Sequence, residues 1–238
     1  LVISPKQSFV LFYGWFVVAA AFVITFVGFG SAYTFSSFLQ PLQEEFGASR
    51  GSVSLVFSLA GFLYFALGVV SAPLADRYGV KVLSAIGMML VGLGLLMAGR
   101  AQTILQVYAA YSIGIGMGVG SAYVPTLGAV QRWFVSRRGL ASGFAVSGIG
   151  IGTLALPPFA TWLISGFGWR SAYTTLGVIA IVLGVLAAFV MEDEPARRGL
   201  SPDGADSIRN AGSPQSGHDM SVGQAVRTRR FHALYLAS

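Results

Sequence analysis

The chain has 238 residues, 55% of them hydrophobic and 10% charged, where a soluble domain carries about 25% charge. It has no cysteine, which removes disulfide and thiol chemistry, and a formal net charge of +6. No Asp, Glu, Lys or Arg occurs in residues 7–43, 51–75, 82–99, 101–131, 139–169 or 171–191. Each gap is about as long as, or longer than, the ~20 residues that a helix needs to cross a bilayer. The pattern specifies an all-α, multi-pass membrane protein. It excludes a β-barrel, whose strands would alternate apolar and polar at every second residue.

In chain order, the gaps predict helices near 11–40, 52–75, 81–99, 104–131, 140–166 and 171–191. The first apolar segment is too long for a signal-peptide core and reads as a retained helix. Tyr13 and Trp15 are expected at a membrane interface, as is Tyr111. Short connections make neighbouring helices antiparallel. Residues 1–191 therefore form one six-helix bundle. Glu192-Asp193-Glu194-Pro195 stops the sixth helix, and 192–230 reads as a flexible linker rich in Arg, Asp, Gly, Ser and Pro. Within it, Ser221 and Gln224 resemble a capping box opening a short basic helix near 222–231. A seventh helix begins at Phe231 and breaks off at Ser238, so the sequence reads as a piece of a longer protein.

The basic residues are sorted by side. With the N-terminus inside, 12 of the 15 fall on the cytoplasmic side, leaving Arg50, Arg100 and Arg170 outside. The positive-inside rule then places the N-terminus and the 192–230 linker in the cytoplasm. Charge so distributed is a matter of topology and gives no reason to expect nucleic acid as a partner.

An internal repeat underlies the six helices. Gly28-Phe29-Gly30-Ser31-Ala32-Tyr33 returns as Gly118-Val119-Gly120-Ser121-Ala122-Tyr123, 90 residues later. Arg50-Gly51-x-x-Ser54 returns as Arg138-Gly139-x-x-Ser142, and Gly79-Val80-Lys81 as Gly168-Trp169-Arg170. Three helices per repeat is an odd number, so the second repeat enters the membrane from the opposite side. Inverted repeats of this kind mark secondary transporters.

Ala72-Pro73-Leu74-Ala75-Asp76-Arg77-Tyr78-Gly79-Val80-Lys81 resembles the loop after the second helix of the major facilitator superfamily. Ala72 stands where that loop usually has its first glycine. A tight turn favours Gly79, and Asp76 is placed to meet a helix N-terminus. Gln131-Arg132-Trp133-Phe134-Val135-Ser136-Arg137-Arg138-Gly139 resembles the junction of helices 4 and 5 in the monocarboxylate transporter group. The likeness is nearest to its bacterial oxalate/formate antiporter branch. Gly148, Gly150 and Gly152 continue it, as does Tyr33 with Pro41. The acidic residue often found before Gly14-Trp15 is absent.

The resemblance implies half of a twelve-helix fold, six crossings forming two inverted three-helix repeats. It also implies a latch on the cytoplasmic side built from Asp76, Arg77, Gly79, Lys81, Arg132, Arg137 and Arg138. The group's pocket has tyrosines at the positions of Tyr33 and Tyr123. By residue count these lie roughly 14–17 Å below opposite surfaces, near the midplane. Each is either a substrate contact or a packing or lipid-facing residue. Tyr64 is a third candidate.

Glycines crowd the fourth helix at 114, 116, 118, 120 and 128, and recur along the fifth at 143, 148 and 152. Rows of small residues let backbones approach closely in lipid. Pro125 and the Pro157-Pro158 pair are either flex points or static kinks. Drug/proton antiporters carry a Gly-Pro pair in helix 5, whereas here Gly152 precedes Thr153, which argues against multidrug efflux.

The six gaps hold no charged residue and no histidine. An anionic solute would therefore find its cationic partner in the C-terminal six-helix half that this chain lacks. The expected function is secondary transport of a small mono- or dicarboxylate by alternating access, through proton symport or anion exchange, in the cell (inner) membrane. Rivals are transport of another metabolite and a non-transporting receptor on the same fold. No cofactor or metal is expected and no enzymatic activity, because the membrane portion holds no nucleophile–base pair and no metal-ligand cluster. His218 and His232 are expected to be solvated.

Overall fold

The structure, a computed structural model, describes residues 12–203. The Ser221/Gln224 capping box, the basic helix near 222–231, the seventh helix, His218 and His232 lie outside the described residues. Five apolar helical spans are long enough to cross a membrane: Gly14–Phe46, Arg50–Tyr78, Val80–Gly99, Ile104–Trp133 and Arg138–Val190.

The first span is α1 (Gly14–Tyr33) followed by α2 (Phe35–Phe46), joined through Thr34. It runs past the expected end near 40 because Pro41 is accommodated inside α2 and the helix stops only at Gly47, in the left-handed conformation (φ 58°). A glycine there carries no Cβ penalty. The helix α3 (Arg50–Tyr78) starts where the Ser49 side chain accepts the Ser52 N–H. It ends at Gly79, which also opens α4 (Val80–Gly99). The fourth span comprises α5 (Ile104–Tyr111), one π-helical stretch at Ser112–Met117, and α6 (Gly118–Trp133).

The last span opens with α7 (Arg138–Ile179) and ends, after a π-helical stretch at Ala180–Gly184, with α8 (Val185–Val190). It is broken at Gly168 (φ 79°, ψ 161°). Its contacts run along the first span and back. Before the break, Phe144 packs on Trp15 and the Thr161 hydroxyl donates to Ser37. After it, Arg170 pairs with Glu45, Tyr173 stacks on Phe38, and the Val190 carbonyl accepts from the Tyr13 hydroxyl.

Glycine decides how the helices fit. Along α5–α6 the glycines at every second position divide between two neighbours. A methyl group at Gly118 would lie 2.6 Å from the Gly87 carbonyl oxygen, and one at Gly114 3.0 Å from that of Leu90, both on α4. One at Gly116 would lie 2.6 Å from the Ala60 oxygen, and one at Gly120 2.8 Å from that of Tyr64, both on α3. Gly148 and Gly152 press similarly on Phe22 and Phe26 of α1, where the Thr25 hydroxyl also donates to the Ala145 carbonyl at 2.7 Å. Gly143, expected in the same row, meets nothing within 4 Å, so the row begins one turn later.

Tyr111 corrects the interfacial expectation. It is fully buried, and its hydroxyl donates to the Ala32 carbonyl at 2.7 Å. Its neighbour Ser112 donates to the Val56 carbonyl at 3.0 Å. Both use otherwise apolar helix contacts to satisfy a hydroxyl, as a buried polar group requires.

Candidate translocation site and gate

Two places in the fold gather the residues singled out in the sequence. The first is an aromatic cluster where α1, α3 and α6 converge. Phe29 stands at its centre, edge-on to Tyr123 (centroids 5.0 Å apart, 80°) and to Tyr64 (5.6 Å, 80°). Tyr64 lies 6.3 Å from Tyr123 and 4.8 Å from Phe65, and Tyr33 lies 5.9 Å from Phe57. Beside the cluster is a cavity of about 170 Å³, lined by Phe29, Tyr33, Phe57, Gly61, Tyr64 and Phe65 among others.

Tyr33 and Tyr64 therefore share one cavity wall. Tyr123 does not line it. It lies beside Phe29 and Tyr64 and lines a narrow crevice with Thr25 and Met88. The sequence reading missed Phe29, Phe57 and Phe65. The signal for Phe29 was available, because it lies one helical turn before Tyr33 and inside the repeated hexapeptide. Among the described residues, the tyrosine hydroxyls hydrogen-bonded to protein belong to Tyr13, Tyr108 and Tyr111. Those of Tyr33, Tyr64 and Tyr123 form no hydrogen bond among the described residues, nor do those of Tyr78 and Tyr173.

The second place is the end of the bundle that holds the Gly79 turn, and its organiser is Asp193. One carboxylate oxygen of Asp193 accepts the Val80 N–H at 2.6 Å, at the N-terminus of α4, and the other pairs with Arg197 at 2.8 Å. The Asp193 carbonyl accepts from the Arg132 Nε at 2.9 Å. A carboxylate at a helix N-terminus meets unpaired N–H groups and the positive end of the helix dipole. For α4 that carboxylate is Asp193, not Asp76 as the loop motif suggested. Asp76 is exposed and stands 4.0 Å from the Arg132 guanidinium. The acidic run 192–194 had been read only as a helix stop, since nothing in its local sequence shows which helix end it returns to.

Of the expected latch, the structure gathers Asp76, Gly79 and Arg132 around Asp193. Arg138 binds the Phe134 carbonyl and shares a cavity of about 490 Å³ with Arg132, Gln131 and Glu194. Arg77 lies over the Tyr78 ring. Lys81 and Arg137 form no ion pair among the described residues. Residues 192–203, expected as the start of a linker, fold back on this end. Pro195–Arg198 forms a 3₁₀ turn, the Trp133 indole donates to the Glu192 carbonyl, and the Asp203 backbone bonds Trp133, Val135 and Ser136.

Long apolar helices in close glycine contact define a multi-pass membrane protein. The chain belongs to the Major Facilitator Superfamily, whose family model matches residues 21–237. It is 33% identical over 171 residues to Monocarboxylate transporter 11 of Mus musculus, covering 72% of this chain and 38% of that protein. It is 26% identical over 223 residues to the Oxalate:formate antiporter of Oxalobacter formigenes, covering 94% of this chain and 51% of that protein. The chain thus spans about half the length, or less, of these curated relatives. Among solved structures it resembles the peptide transporter POT (E310Q mutant) in complex with alafosfalin. That match has a TM-score of 0.61 and 17% identity, and covers 82% of this chain and 44% of the other, which supports the fold alone. The family and these relatives are transporters, not enzymes, and the sequence resemblance to the monocarboxylate group holds.

Proposed function

We propose that this chain is the N-terminal half of a twelve-helix transporter that moves a small carboxylate by alternating access. The carrying observation is the aromatic cavity at the meeting of α1, α3 and α6, with unengaged phenol groups, in a chain related to monocarboxylate transporters and an oxalate:formate antiporter. Tyr33 and Tyr64 contact the solute, and Tyr123 packs beside Phe29. A second half supplies the cationic group, since a bare carboxylate at the midplane costs at least a few kcal/mol. The exposed apolar face of α3, with Phe62, Phe65 and Val69, suits such a partner half. Transport is proton symport or anion exchange.

Six crossings are the natural count. The span Arg138–Val190 has 53 residues, about 80 Å of helix at 1.5 Å per residue, against a hydrocarbon core about 30 Å thick. The Gly168 break and the returning contacts support a hairpin of two crossings. The arginine-rich end carrying Asp193 is then cytoplasmic, as is the N-terminus, and the membrane is the cell (inner) membrane. Asp76, Arg77, Gly79, Lys81, Arg132, Arg137 and Arg138 form the inner gate and its basic surround, and Asp193 anchors it.

The test is uptake by the complete protein in proteoliposomes. Saturable, trans-stimulated or proton-driven carboxylate uptake is the expected result, and binding without flux would favour a receptor. Asp76→Asn is expected to cut uptake at least about tenfold, a loss of about 1.4 kcal/mol, with membrane insertion unchanged. Uptake equal to wild type in that variant would remove Asp76 from the gate.

A further inference from the structure

The cavity wall carries information about the solute that the family likeness does not. It presents five aromatic rings from Phe29, Tyr33, Phe57, Tyr64 and Phe65, and its polar atoms are few. A methyl group at Gly61 would meet nothing within 4 Å, so this glycine serves no helix contact and instead leaves room in the wall. The cavity is about 170 Å³, and a dry apolar cavity of about 150 Å³ holds one benzene ring. Oxalate and formate have no apolar body to place there. They could meet the Tyr33 and Tyr64 hydroxyls but would leave the apolar part of the wall unfilled while losing hydration beside it.

We propose, resting on the carboxylate-transport reading above, that the preferred solute is a monocarboxylate bearing an aromatic ring. The ring occupies the space between Phe29, Phe57 and Phe65 over Gly61. Edge-to-face packing there suits the ring quadrupole, and the Tyr33 and Tyr64 hydroxyls face the polar end of the solute.

Phenylpyruvate and pyruvate differ by the ring alone and give a matched pair. The complete protein in proteoliposomes is expected to take up phenylpyruvate with a KM at least about tenfold below that of pyruvate, and below those of oxalate and formate. Phe57→Ala is expected to raise the phenylpyruvate KM about tenfold more than the pyruvate KM. Gly61→Ala puts a methyl group into the same space with nothing within 4 Å of it, and is expected to shift the ratio in the same direction in a folded protein. A lower KM for oxalate or formate than for phenylpyruvate overturns the proposal while leaving carboxylate transport intact. So does an equal change for both keto acids in both variants. Absence of uptake for every carboxylate overturns the underlying reading as well.

Discussion

Gly79 and Gly168 open matching triplets 89 residues apart in the sequence, and their backbones nearly coincide: φ 88°, ψ 148° against φ 79°, ψ 161°. Only glycine enters that region freely. Their surroundings differ. A methyl group at Gly79 would sit 3.2 Å from an Asp193 carboxylate oxygen, while one at Gly168 would meet nothing within 4 Å. The Gly79 turn is fastened by a buried carboxylate, a helix N-terminus and two arginines. The Gly168 turn is held by a half-exposed pair, Arg170 with Glu45 at 2.9 Å, and by Arg170 reaching the Ala101 carbonyl at 3.2 Å. The two turns share the bend in the backbone but not what secures it.

Substitutions sharpen that contrast, and the largest effect belongs to Gly79→Ala. It combines backbone strain with displacement of Asp193, and is expected to cost about 2–4 kcal/mol in mixed-micelle unfolding. Gly168→Ala carries the strain alone, about 1–3 kcal/mol. A loss at Gly168 equal to or above that at Gly79 would break the comparison. Asp193→Ala leaves the Val80 N–H and Arg197 without their partner, and is expected to cost about 1–3 kcal/mol by the same measurement. Arg170→Gln is expected to cost at most about 1 kcal/mol, shrinking further in high salt. A larger or salt-independent loss would mean that the second turn is as firmly held as the first.

Much of the fold was legible because charge cannot be hidden in hydrocarbon. Four of the six gaps between charged residues fall in separate spans, while 139–169 and 171–191 fall together in Arg138–Val190, and the sequence register pairs Gly79 with Gly168. The limits are equally physical. The sequence placed the first helix end near 40, but Pro41 and two glutamates proved compatible with helix as far as Phe46. Tyr111 looked interfacial because its hydroxyl needs a partner, and that partner is a carbonyl of α1, 79 residues away in sequence. Asp193 was invisible for the same reason, since its bond to Val80 spans 113 residues. At the candidate site the tyrosines were legible from the hexapeptide, but their arrangement was not. Which phenol lines the cavity and which does not depends on helix rotation, which no local pattern encodes.

The alternating glycines of α5–α6 have a mechanical consequence. With 114 and 118 pressed on α4, and 116 and 120 pressed on α3, the backbone of this helix is wedged tightly on both flanks. A methyl group added at any one of these glycines would open the joint on its own side, toward α4 or toward α3. Side chains of α5–α6 are thus excluded from both seams at these points, and α3, α5–α6 and α4 lie backbone against backbone across the pair of them.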